Sequence, residues 1–182
     1  MFIQTEATPN PLTLKFIPGV AVMESGTLFI TSIDEAKASP LAQSLLRIEG
    51  VTAIFLGSDF ITATKAEAAN WETLKPLLLT SIMDHFVEGK PVVTSAQAAA
   101  NTSGDSELEA QIRELIDTRV RPAVAQDGGD IIFRGFVDGV VQLELHGACS
   151  GCPSSTMTLK DGIENMLKHY VPEVIAVEAV NN

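Results

Sequence analysis

Val140-Val141-Gln142-Leu143-Glu144-Leu145-His146-Gly147-Ala148-Cys149-Ser150-Gly151-Cys152-Pro153 passes from strand to loop to helix start. Val141, Leu143 and Leu145 face one way while Gln142, Glu144 and His146 face the other, the period-two alternation of a half-buried strand. Pro153 suits a first helical position, because its missing N–H has no partner there anyway and its φ is already helical. Both cysteines therefore fall in the loop between a strand and a helix N-terminus, with Cys152 at the N-cap. Working upstream, Asp138-Gly139 is a strong two-residue hairpin signal joining this strand to another over Ile131 to Val137. Asp127-Gly128-Gly129-Asp130 is a tight connection into that strand. Before it, Ser106-x-x-Glu109 is a capping box, and Leu108, Ile112, Leu115, Ile116 and Val120 recur at helical spacing until Pro122 ends or kinks the helix. Downstream, Leu159, Ile163, Met166, Leu167 and Tyr170 form one face of a helix that Pro172 stops, and Val174 to Val180 is a last strand. The order is α-β-β-α-β.

Cys149 and Cys152 are the only two cysteines in the chain. Zinc and iron–sulfur sites usually take four protein ligands. One chain brings two, so a metal reading requires a second copy and predicts a homodimer with the centre on its symmetry axis. Unpaired N–H groups and the positive end of the macrodipole at the helix start are expected to make both thiols easier to ionise. Gly147 and Gly151 clear space around the sulfurs. The pair reads as thiolates presented at a surface.

Three chemistries use such a pair. An iron–sulfur cluster or a zinc ion shared by two chains has the same ligand arithmetic. A thiol–disulfide oxidoreductase also places its motif between a strand and a helix, although there the first cysteine usually opens the helix. Here Pro153 starts the helix only after Cys152, which weakens the redox reading.

Bulk properties narrow the partners. The chain has 182 residues, 46% of them apolar, with 12 basic and 23 acidic residues and a formal charge of −11. Such a surface repels phosphate backbones and anionic lipid, which argues against nucleic-acid and membrane-surface roles. No apolar run approaches the roughly 20 residues that cross a bilayer. Met1-Phe2-Ile3-Gln4-Thr5-Glu6 lacks a secretory signal's basic and apolar regions and is not Arg- and Ser-rich like a transit peptide. Two cysteines are too few for a disulfide framework. A reducing, cytoplasmic setting is the expectation.

The stretch from about Thr94 to Asp105 is small, polar and without periodicity, as in a flexible linker. The expected organisation is α/β (α+β) in two small domains, residues 1–91 and 106–182, joined by a linker over 92–105. In the first, Leu12 to Ile17 and Leu28 to Ser32 read as extended. Ser39-Pro40 opens a short helix that stops at Gly50. Val51 to Leu56 and Phe60 to Lys65 flank Gly57-Ser58-Asp59 as a hairpin. Asn70 caps a longer helix with Trp71, Leu74, Leu78, Ile82 and Phe86 on one face, and Pro76 is expected to shift its real start towards Thr73.

The run Asp127-Gly128-Gly129-Asp130, the Gly135-to-Gly139 hairpin and Leu145-x-Gly147-Ala148-Cys149-Ser150-Gly151-Cys152-Pro153-Ser154-Ser155 resemble the C-terminal domain of NifU, shared with the Nfu iron–sulfur proteins. Thr8-Pro9-Asn10-Pro11, Leu14-Lys15-Phe16 and Trp71-x-x-Leu74-Lys75-Pro76 resemble the Nfu N-terminal domain. Leu12 departs from relatives, which often carry a polar residue there. The resemblance implies a scaffold or carrier, not an enzyme, that holds a labile [4Fe–4S] cluster between two subunits. It implies an upstream assembly scaffold as donor and apo iron–sulfur proteins as acceptors. Only Cys149 and Cys152 carry over as ligands. A [2Fe–2S] cluster takes the same four thiolates, so both types are kept.

Other polar residues have plainer readings. His146 reads as an exposed strand histidine, and His85 and His169 as helix-end cations. Asp127 and Asp130 read as turn residues that cap the following strand. Arg119 and Arg121 read as surface. The N-terminal half shows no nucleophile–base set, phosphate cradle or metal set.

Overall fold

The computed structural model describes residues 2–24, 26–94, 106–150 and 153–180, with backbone alone at 153–155. The chain divides into two compact units, residues 1–99 and 100–182. Both mix helices and antiparallel strands, an α+β architecture. No helix among the described residues is long and apolar enough to cross a membrane.

In the first unit, strands β1 (Gln4–Ala7), β2 (Thr13–Ile17), β3 (Leu28–Ile30), β4 (Val51–Leu56) and β5 (Ile61–Lys65) form an antiparallel sheet in the order β1-β2-β5-β4-β3. Helices α1 (Pro40–Leu46) and α2 (Trp71–Val87) supply Leu41, Leu45, Leu74, Leu78 and Ile82 to its core, against Phe16, Ile30, Ile54, Leu56 and Ile61. Ser39 caps α1 through its side chain, with Pro40 at the first position. Asn70 caps α2 by accepting from the Glu72 N–H at 3.0 Å, so that helix starts at Trp71 and not near Thr73. Pro76 lies inside it on the exposed side, where water can satisfy the carbonyl that loses its partner. Residues just beyond α2 stay attached to this unit. Ser39 Oγ donates to the Val92 carbonyl, and Thr94 N–H donates to the Ala38 carbonyl at 2.8 Å. The remainder of the stretch read as a linker, 95–105, lies outside the described residues.

In the second unit, β6 (Gly129–Val137) and β7 (Val140–Gly147) form a hairpin, and β8 (Ala176–Ala179) pairs with β7 in parallel. Asp138 and Gly139 both have positive φ, 50° and 80°, as the two-residue turn demands. The parallel pairing needs a crossover, and α5 (Pro153–Tyr170) provides it. Before the hairpin, α3 (Glu107–Leu115) opens on the expected capping box, Ser106 with Glu109. Pro122 does not end this helical run. The backbone widens into a π-helical stretch, Ile116–Val120, and continues as α4 (Arg121–Gln126), the usual way a helix absorbs a local irregularity. Ile112, Ile116, Val124, Ile131, Val141, Leu143, Ile163 and Leu167 form the core. Each fully buried aliphatic side chain there contributes roughly 1.5–3 kcal/mol. Cys149 belongs to the same cluster.

Candidate functional site

Strand β7 ends at Gly147, whose φ of 63° turns the chain out of the sheet. The next residues are held on three sides. Ala148 N–H donates to the Gly128 carbonyl at 3.2 Å, and Ser150 donates to the Gly147 carbonyl through N–H at 3.1 Å and Oγ at 2.9 Å. Thr156 Oγ1, one turn into α5, donates to the Cys149 carbonyl at 3.3 Å. The Asp127–Asp130 turn and the cysteine loop therefore lie against each other, and Gly129 pairs with Gly147 across the sheet.

The Cys149 side chain points inward. It is 7% exposed, and a Cβ on Gly129 would stand only 2.5 Å from its sulfur. Burial pushes the thiol up to about 12, and the negative charges of Asp127 and Asp130 add to the effect. This corrects two expectations for Cys149, that its thiol is surface-presented and that it ionises easily. The physical reason is that desolvation in a packed core exceeds the dipole effect of a helix that begins only at Pro153. Cys152, its expected position at the N-cap and its expected ionisation lie outside the described residues.

Charged side chains flank the loop. Arg121 grips Asp130 with two parallel bonds, Nε to Oδ1 and Nη2 to Oδ2, each 2.8 Å, and reaches Asp117 Oδ1 at 3.2 Å. These bonds hold the guanidinium firmly protonated. Asp130 Oδ1 also accepts the Ile131 N–H at 2.8 Å. Arg121 is thus a structural partner and not a free surface cation, and buried Asp130 is far more than a turn residue. On β7, burial would raise the Glu144 carboxyl, but hydrogen bonds from His146 and Arg134 outweigh it and hold it below the usual range. His146 Nε2 lies 2.7 Å from Glu144 Oε1, and Arg134 also pairs with Glu144. His146 is buried, not exposed, with its ring held against the Glu144 carboxylate on the same strand.

The other histidines lie elsewhere. His169 sits exposed in the last turn of α5, edge-on to Tyr170. His85 is buried in the first unit rather than serving as an exposed helix-end cation. Arg119 stacks over the Tyr170 ring at 4.9 Å. Sequence reasoning did not single out Gly129, Thr156 or Arg121 as part of the loop's environment. The Asp-Gly-Gly-Asp run was the available signal, since adjacent glycines mark a close backbone approach as well as a turn.

An α+β unit with a thiol loop between a central strand and a crossover helix defines the class, and comparison with known proteins defines the family. The family described as NifU-like domain matches residues 112–178, and that described as scaffold protein Nfu/NifU N terminal matches residues 3–89. The chain is 53% identical over 183 residues to the human protein named NFU1 iron-sulfur cluster scaffold homolog, mitochondrial, covering 99% of this chain and 72% of that one. It is 51% identical over 185 residues to NifU-like protein 4, mitochondrial, of Arabidopsis thaliana, covering 98% of this chain and 65% of the plant protein. A solution structure of a NifU-like protein from Saccharomyces cerevisiae matches with a TM-score of 0.47 at 28% identity, covering 52% of this chain and 86% of that chain. This chain belongs to the Nfu/NifU-like family.

The cytoplasmic setting expected from composition is overturned by these relatives, both named as mitochondrial. A chain with few cysteines fits any reducing compartment, and cysteine usage does not distinguish one such compartment from another.

Proposed function

We propose that this protein is an iron–sulfur cluster assembly scaffold and carrier that holds a [4Fe–4S] cluster between two copies of the chain. Cys149 and Cys152 of each copy supply the four thiolates, and the cluster is cargo. Delivery proceeds by thiolate exchange, in which cysteines of an apo-protein acceptor replace these on iron one after another. The chain performs no net redox chemistry and turns over no small substrate, so it acts as a carrier and not as an enzyme. Its N-terminal domain over 1–91 and C-terminal iron–sulfur domain over 106–182 divide the work, the second holding the cargo.

The observation that carries this reading is the match of nearly the whole chain, at 53% identity, to a protein named as an iron–sulfur cluster scaffold. The placement of Cys149 counts against an oxidoreductase, because a sulfur 7% exposed and packed against Gly129 is poorly placed to attack the disulfide of another protein.

Anaerobic reconstitution with iron and sulfide, followed by size exclusion with iron and sulfide assays on the eluted peak, tests the proposal. A brown dimer with about four irons and four sulfides per two chains is expected. A colourless monomer under conditions that load a control scaffold would overturn it.

A further inference from the structure

The Asp127–Asp130 turn does more than connect α4 to β6. Its second glycine lies directly under the Cys149 sulfur, and the space a Cβ would fill is the space the sulfur uses, 2.5 Å from that position. The same Cβ would stand 2.9 Å from the His146 carbonyl and 3.1 Å from the Cys149 amide nitrogen. Gly129 has no left-handed φ, so its own backbone conformation does not demand glycine. What demands it is the approach of the neighbouring loop. The seat is also braced. Ala148 N–H binds the Gly128 carbonyl, Thr156 binds the Cys149 carbonyl, and the Arg121–Asp130 pair anchors the far end of the turn.

A sulfur in this position faces the core of its own chain, whereas a ligand shared with a second chain has to face outward. We propose that Gly129 is a positioning residue that stores the Cys149 sulfur in a closed seat in the unloaded chain, and that Cys149 leaves this seat to take up iron. The inference deepens the scaffold reading and rests on it for the second half. The closed seat itself is independent of what Cys149 later binds. Gly147, at positive φ directly before the loop, is where the backbone can turn as the loop swings.

The test uses the full chain carrying Cys152→Ser, so that Cys149 is the sole thiol. Alkylation by iodoacetamide forms a thioether and releases iodide and a proton, and its rate reports how often the sulfur is exposed. In native buffer the rate is expected to be at least about tenfold slower than for the same chain unfolded in urea at the same pH. Equal rates would overturn the proposal. Gly129→Ala in this background is expected to raise the native rate several-fold while circular dichroism shows a retained fold, and a folded variant with an unchanged rate would overturn it.

If Gly129→Ala is instead strongly destabilised, adding Cys149→Ala decides between its possible causes. A smaller loss in the Cys149→Ala background supports the seat. An equal loss shows that the glycine serves only the backbone contact with His146, and the proposal fails. Slow alkylation of the Cys152→Ser chain together with a wild-type chain that never loads iron keeps the seat and overturns the scaffold reading, so the two failures are distinguishable.

Discussion

Arg121 and Asp130 form a forked ion pair, two parallel 2.8 Å bonds between the first residue of α4 and the second of β6. The carboxylate is 4% exposed and the guanidinium 34%. Asp130 is therefore a buried charge that binds the Arg121 fork and also accepts the Ile131 N–H. The pair fixes the turn against which the Cys149 loop rests.

Replacing Arg121 with leucine leaves that carboxylate buried without its counter-charge. The expected cost is about 3 kcal/mol, at the low end for a buried pair because the arginine is partly exposed. Arg121→Lys is expected to recover only part of it, since an ammonium lacks the planar fork. The chain holds one tyrosine, Tyr170, in the second unit, so tyrosine fluorescence during urea unfolding reads this transition.

Cys149→Ala and Cys152→Ser are each expected to abolish cluster binding and loaded-state dimerisation while the unloaded chain stays folded. Iron and sulfide content after reconstitution, with circular dichroism of the unloaded protein, checks both halves. A mutant that still carried a full cluster would sink the ligand assignment.

Stability of the first unit is expected to fall in mild acid. His85 is its one histidine, 4% exposed, and its Nε2 has no hydrogen-bond partner among the described residues. Burial lowers its pKa, and Lys90 nearby pushes the same way. The folded state thus binds the proton less readily than the unfolded state, whose histidine titrates near 6.5. The stabilisation is complete above that value and is lost as pH falls through the depressed folded pKa. Trp71, the sole tryptophan, reports unfolding at pH 7.5 and 5.5. His85→Phe is expected to flatten the difference between the two.

Gly147→Ala is expected to cost about 1–2 kcal/mol, because a Cβ at φ 63° is strained where the chain turns out of β7. Loading is expected to slow as well, since the loop would begin from a distorted strand end. Urea midpoints and the rate of colour development on reconstitution separate these two effects.

Much of this molecule follows from neighbours along the chain. Ser39-Pro40, Asn70 and Ser106 with Glu109 mark helix starts, because a capping side chain acts on N–H groups within three residues of itself. Asp138-Gly139 marks the hairpin because those residues tolerate positive φ. The alternation of Val141, Leu143 and Leu145 assigns their face to the core. Strand β1 was not legible. Its Gln4-Thr5-Glu6-Ala7 run is mostly exposed, and it is a strand only because the edge of β2 is there to pair with.

The sequence by itself thus determined the order of most elements and the strand end from which the Cys149 loop departs. The tertiary structure decided what surrounds Cys149. Its inward-facing sulfur, its reluctance to ionise and the glycine beneath it depend on the approach of the Asp127–Asp130 turn to the Gly147–Ser150 loop. Local signals place a cysteine near a helix start and suggest an acidic thiol. Desolvation depends on which distant segments close over a group, so it emerged only once the two loops were packed together.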